Sequence, residues 1–132
     1  VAWDAWCNDS FWLNPVVKAF DNGTSRGTVA LEDGRTGLMV SYDSGGVTPG
    51  DSYLWILADD GTPESWKMWV SVLPVGGLQA TWEGWQTLPT GARIATHHIG
   101  VFGVVTAIRD VRGAATLAEI ESDDPFARLV GR

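Results

Sequence analysis

The chain has 132 residues, 45% apolar and 19% charged, and a net charge of −7. That length suits one domain burying roughly two thirds of its unfolded surface, and the apolar share excludes a disordered chain. Nine basic residues spread through an acidic chain lack the footprint that phosphate backbones need, so nucleic acid is not an expected partner.

Short apolar runs alternate with Gly, Asp and Pro clusters at regular spacing, the pattern of an all-β chain. Residues 11–20 read as a first extended run, with Pro15 marking an edge or bend. Asp21-Asn22-Gly23 turns the chain, and residues 28–32 form a short strand ending at Asp33-Gly34, a hairpin signal. In residues 38–42, Leu38, Val40 and Tyr42 share one face. Residues 44–51 form a loop with three glycines and Pro49. Residues 53–58 are apolar on both faces, as in a central strand covered on two sides.

Asp59-Asp60-Gly61-Thr62-Pro63 turns into residues 66–73, where Trp66, Met68, Val70 and Val72 share a face. Residues 78–86 read as one strand, with Leu78, Ala80 and Trp82 on one face and Gln79, Thr81, Glu83 and Trp85 on the other. Residues 93–109 are too long for one strand, and Gly100 and Gly103 mark a bulge or break. Residues 116–121 make a last strand or helical turn. At the end, Asp124 as N-cap, Pro125 at the first helical position and Phe126, Leu129 and Val130 at helical spacing predict a short C-terminal helix.

The expectation is therefore an all-β fold over residues 1–132. About eight antiparallel strands form a meander, closing into a small barrel with a short C-terminal helix; a two-sheet β-sandwich is the alternative. In strand count and spacing the layout resembles a calycin-type (lipocalin-like) barrel. Ala2-Trp3 and Ala5-Trp6 stand without the glycine of the lipocalin Gly-x-Trp opening, and no family residue is carried over.

Eight tryptophans dominate the candidate chemistry. Alternation turns Trp66 and Trp82 inward and Trp69 and Trp85 outward onto consecutive strands, puts Trp55 on the doubly covered strand, and leaves Trp3, Trp6 and Trp12 as an N-terminal trio that plugs one barrel end. Any one Trp serves a core well enough; eight together suit a flat-walled pocket with indole N–H donors. With Arg93 facing solvent, His98 faces in and His97 faces out. His98, Tyr42 and Tyr53 are the candidate proton-transfer residues, although a hydrogen-bonded structural histidine is the commoner role for such a residue. The candidate ligand-binding residues are Trp55, Trp66, Met68, Trp82, Trp69 and Trp85.

The single cysteine, Cys7, reads as a small buried apolar residue and permits neither an internal disulfide nor a Cys-based metal site. One inward histidine is too few ligands for zinc, the acidic pairs lack a calcium-loop pattern, and no phosphate- or dinucleotide-binding glycine motif occurs. No cofactor or metal is expected. No apolar run approaches the roughly 20 residues that cross a bilayer as a helix. The chain begins at Val1, which fits processing or excision from a longer parent and leaves the compartment open between cytoplasm and export.

Three function classes follow. The first is binding of an apolar, ring-bearing or polyene small molecule in a Trp-lined pocket, extending to cofactor-free cyclase or isomerase chemistry by holding a flexible substrate folded. The second is a carbohydrate- or protein-binding module using Trp69 and Trp85 as a platform. The third is a structural subunit, such as a homodimer, that buries its aromatics against a copy.

Overall fold

The structure, a computed structural model, describes residues 1–120. The helix expected from Asp124 onward lies outside the described residues. The chain is mostly β, with one N-terminal helix, α1 (Ala2–Leu13), followed by a 3-10 turn at Pro15–Lys18.

The helix corrects the extended run expected at residues 11–20. Trp3, Cys7 and Phe11 recur at i, i+4 and i+8, a helical spacing. Pro15 favours an extended conformation in the residue before it, and Asn14 adopts one (φ −164°, ψ 80°), so the helix stops there. No α1 residue is fully buried, and the first turns project outward, with Trp3 59% and Trp6 66% exposed.

Eight strands follow: β1 (Thr24–Ala30), β2 (Thr36–Tyr42), β3 (Ser52–Leu57), β4 (Pro63–Trp69), β5 (Leu78–Thr81), β6 (Glu83–Thr87), β7 (Arg93–Ile99) and β8 (Val105–Ala107). All paired neighbours are antiparallel. They form a five-stranded sheet in the order β1-β2-β3-β4-β5 and a three-stranded sheet in the order β6-β7-β8. Short connections explain this consecutive order, because neighbours in sequence pair most easily. The Asp33-Gly34 hairpin forms as expected: Gly34 takes a positive φ of 85°, and Asp33 Oδ1 accepts the Arg35 backbone N–H at 3.0 Å.

The strand expected over residues 78–86 is broken. β5 ends at Thr81, Trp82 carries no strand pairing, and β6 begins the second sheet at Glu83. Gly84, at φ 64°, takes a left-handed conformation, and Thr96 Oγ1 donates to its carbonyl at 2.9 Å. The sheets remain joined at this bend. Ala80 bridges Gly100, and Thr81 Oγ1 accepts the Ile99 backbone N–H at 2.9 Å. A strand that bends and switches sheets is the usual way to build a corner between two sheets.

The core lies where β2, β3, β4 and the bend converge. Val40, Tyr53, Trp55, Trp66, Ala80, Trp82 and Ala95 are buried there, and Phe11, Trp12 and Trp85 pack around them. Tyr53, Leu54 and Trp55 are all buried, so β3 is covered on both faces as its sequence implies. No helix among the described residues is long and apolar enough to cross a membrane.

Candidate functional site

A cleft of about 580 Å³ opens between α1, the loop over residues 44–51, and the ends of β3 and β4. Tyr42, Tyr53, Trp66 and Met68 form its sheet wall, and Trp6 and Phe11 form its helix wall. That volume falls within the range of small-molecule pockets, and an aromatic lining is typical of them.

Local pairing positions the sheet wall. Tyr53 pairs with Met68 across β3 and β4, and Trp55 pairs with Trp66, so four large side chains alternate over one surface. The loop at the cleft edge is held by Asp51, a buried carboxylate. Its Oδ2 accepts the Thr48 hydroxyl at 2.6 Å and its Oδ1 accepts the Ser71 backbone N–H at 2.8 Å. Sequence reading passed over Asp51 because it lies in a Gly-Pro loop, where an aspartate ordinarily signals only a turn.

Two α1 rings cover the floor of the site. Phe11 lies 5.3 Å from Tyr42, 4.7 Å from Tyr53 and 5.8 Å from Trp66, centroid to centroid. Trp12 lies 5.1 Å from Trp66, 6.4 Å from Trp82 and 5.1 Å from His98. Trp12 packs into the aromatic cluster while Trp3 and Trp6 are exposed, so the N-terminal trio does not act together. Phe11 was missed as a site residue because it was assigned to a strand.

His98 is 1% exposed and packs edge-on against Trp82 at 4.4 Å. Its Nδ1 stands 3.0 Å from the Thr81 carbonyl oxygen. A carbonyl only accepts, so Nδ1 carries the proton and the neutral ring presents a bare lone pair at Nε2. Burial pushes the imidazole below its ordinary value, against the opposing pull of the Thr81 carbonyl and, more weakly, those of Trp12 and Ala95. His97 faces solvent beside Glu83, with Nδ1 3.6 Å from a carboxylate oxygen. Ala95 is fully buried as well as His98, so β7 does not alternate strictly.

Tyr42 and Tyr53 are adjacent, 5.9 Å apart in an edge-on pair. Desolvation, then the charge of Asp21, pushes the Tyr42 phenol up to about 12. Tyr53 is raised further by desolvation, then by the charge of Asp51 and by Tyr42. Both therefore stay protonated at neutral pH.

Among the described residues, five side-chain atoms are buried with no hydrogen-bond partner: Asn14 Oδ1 and, in the aromatic cluster, the four atoms Tyr42 Oη, Trp66 Nε1, Trp82 Nε1 and His98 Nε2. Leaving one such neutral atom unpaired costs about 1–3 kcal/mol. The four cluster atoms belong to side chains packed against Phe11 or Trp12.

Tyr42, Tyr53, Trp66 and Met68 line the cleft, whereas Trp55, Trp82 and His98 join the same packed cluster through Trp66 and Trp82 without lining it. It separates Trp69 from Trp85. Trp69 lies on β4, half-exposed with its ring against Gly76, and Trp85 lies on β6 in the other sheet. Trp85 stacks on Trp82 at 6.0 Å, gives its indole N–H to the Pro63 carbonyl at 3.1 Å and is capped by Arg93 at 5.3 Å. These two residues do not sit on consecutive strands of one sheet as expected, because the bend at Trp82–Gly84 intervenes.

A second depression, around Arg35, Asp60, Glu64 and Arg93, is lined by charges already engaged: Arg35 bonds Asp33 and Glu64, each at 2.8 Å. No group of three or more His, Cys, Asp or Glu residues placed to hold a metal occurs among the described residues. No protein-family model, no curated protein and no solved structure matches this chain.

Proposed function

We propose that this protein binds an apolar, ring-bearing or polyene small molecule in the cleft between α1 and the five-stranded sheet. One observation carries the proposal: a 580 Å³ cleft whose sheet wall is Tyr42, Tyr53, Trp66 and Met68. Flat rings gain dispersion and edge-to-face contacts against such a wall, and the charged residues of the lining, Asp4, Lys18, Asp21 and Asp51, lie outside it. The consecutive strand order within each sheet and the bend between β5 and β6 support a barrel-like, calycin-type enclosure in which α1 covers the mouth. Cyclase or isomerase activity would add only the folding of a flexible substrate within that space.

Titration with menthol, a compact apolar ring compound, while following intrinsic Trp fluorescence tests the proposal. Saturable quenching or a spectral shift, weakened at least severalfold by Met68→Lys, is the expected result. An unchanged spectrum with menthol and with a longer polyene such as retinol would overturn it.

A further inference from the structure

Of the five buried polar atoms without a partner among the described residues, four are not scattered; the fifth is Asn14 Oδ1. Phe11 stacks on Trp66 and meets Tyr42 edge-on, and Trp12 stacks on Trp82, meets Trp66 edge-on and lies tilted against His98. Trp66, Trp82 and His98 are each at most 2% exposed, and each carries one buried atom without a partner among the described residues. The rings that cover them offer no hydrogen bond in return. Phe11 and Trp12 line the cleft together with Tyr42 and Trp66; Trp82 and His98 do not line it, and Trp12 packs on both.

The roles of these atoms are complementary. An indole N–H only donates, and both Trp66 and Trp82 offer one. His98 gives its Nδ1 proton to Thr81 and is left with an acceptor at Nε2. A hydroxyl group is the smallest uncharged group that answers both, since it accepts from an indole and donates to an imidazole. A ketone answers only the indoles, and a hydrocarbon answers neither.

The covering side chains come from an element that is only partly buried. It buries no residue completely, its first turns are exposed, and it ends at the extended Asn14 before Pro15. Its stacking side chains, Phe11 and Trp12, sit within one turn of that junction.

We propose that the preferred ligand is an apolar ring compound bearing a hydroxyl group, that it displaces Phe11 and Trp12, and that its hydroxyl donates to His98 Nε2 while accepting from the Trp82 or Trp66 indole N–H. The inference rests on the cleft being a small-molecule site.

Three probes of one shape test it: menthol, menthone and p-menthane, each titrated by Trp fluorescence. Menthol is expected to bind about tenfold more tightly than p-menthane, the worth of one added hydrogen bond of ordinary strength, with menthone between them. His98→Asn keeps a donor for Thr81 and removes Nε2. It should erase the advantage of menthol over menthone. In the wild-type protein, menthol should also shift the His98 Nε2 and Trp12 indole nitrogen resonances, which covers the case in which the variant fails to fold. Binding by none of the three would overturn the cleft as an apolar site. Equal binding by all three, or unmoved His98 and Trp12 resonances on saturation with menthol, would overturn the hydroxyl inference and leave the cleft standing.

Discussion

The indole of Trp12, on the N-terminal helix, lies 5.1 Å from the imidazole of His98 on β7. This contact joins the first element of the chain to a strand near the far end of the meander. It also places the helix over the only buried histidine. Asn14 supports it from the same side by giving its side-chain N–H to the Arg93 carbonyl at 2.9 Å, at the start of β7. Stability and access to the site are therefore coupled through one end of α1.

That coupling predicts an uneven response to truncating the helix tryptophans. Trp12→Ala removes packing against three buried rings and should cost about 2–3 kcal/mol, below the 3–5 typical of a fully buried Trp because the residue is only half-buried. Trp3→Ala and Trp6→Ala, exposed at the rim, should each change stability by less than about 0.5 kcal/mol. Urea unfolding followed by circular dichroism measures all three. Similar losses for all three would mean that α1 is held along its whole length.

Much of this arrangement was legible in the sequence. The hairpin at Asp33-Gly34, the doubly covered β3 and the inward Trp66 and Trp82 follow from turn chemistry and period-two alternation, which act locally. The helix was not legible in the same way. Its aromatics, Trp3, Trp6, Phe11 and Trp12, are spread widely around the helical circumference, so no narrow apolar stripe announces it, and Pro15 read as a strand edge instead of a helix stop. Trp69 and Trp85 were paired by carrying alternation through residues 78–86. Alternation fails at Trp82–Gly84, where the backbone leaves the strand conformation to change sheets. The cleft lies between the five-stranded sheet and the helix, so its sheet wall is readable in the sequence and its helical cover is not.

The buried His98 predicts a pH dependence of stability. Its folded-state value is depressed by burial below the ordinary 6.5. Above about pH 6.5 the ring is neutral in both folded and unfolded chains and has no effect on stability. As pH falls below that, the unfolded chain takes up a proton that the folded chain resists, so stability declines until the folded-state value is passed. His98→Asn should flatten the dependence in this window. Urea midpoints measured at steps between pH 7 and pH 5 decide the matter; a wild-type slope no steeper than the variant's would mean that His98 is readily protonated in place.

The tyrosines predict the opposite limb. Tyr42 is raised to about 12 and Tyr53 is raised as well, both chiefly by desolvation. Below about pH 10 both phenols are protonated in either state, and their burial is compatible with full stability. Above it the unfolded chain loses these protons first, so stability falls as pH rises. Since the chain has only two tyrosines, tyrosinate absorbance in the folded protein should stay low at pH 10 and rise together with loss of near-ultraviolet circular dichroism. Ionisation that precedes the loss of structure would show that water reaches the cluster.

The bend itself predicts a sharp contrast between two glycines. A Cβ on Gly84 would meet Thr96 Oγ1 at 2.7 Å, on a backbone at φ 64° that L-residues avoid. Gly84→Ala should therefore lose about 1–2 kcal/mol from the left-handed conformation alone, with further loss if the Thr96 hydroxyl gives up its bond to the Gly84 carbonyl. Gly27 in β1 has nothing within 4 Å of its would-be Cβ and no positive φ. Gly27→Ala should be neutral, or stabilising by a few tenths of a kcal/mol through the lower entropy of the unfolded chain. Because Gly84 sits where β5 hands over to β6, strain there also reaches Trp82. The Trp82 indole resonance should move in Gly84→Ala and hold still in Gly27→Ala. Thermal unfolding and indole nitrogen spectra of the two variants test both halves; a Gly84→Ala protein with wild-type stability and an unmoved Trp82 would mean that the corner is set elsewhere.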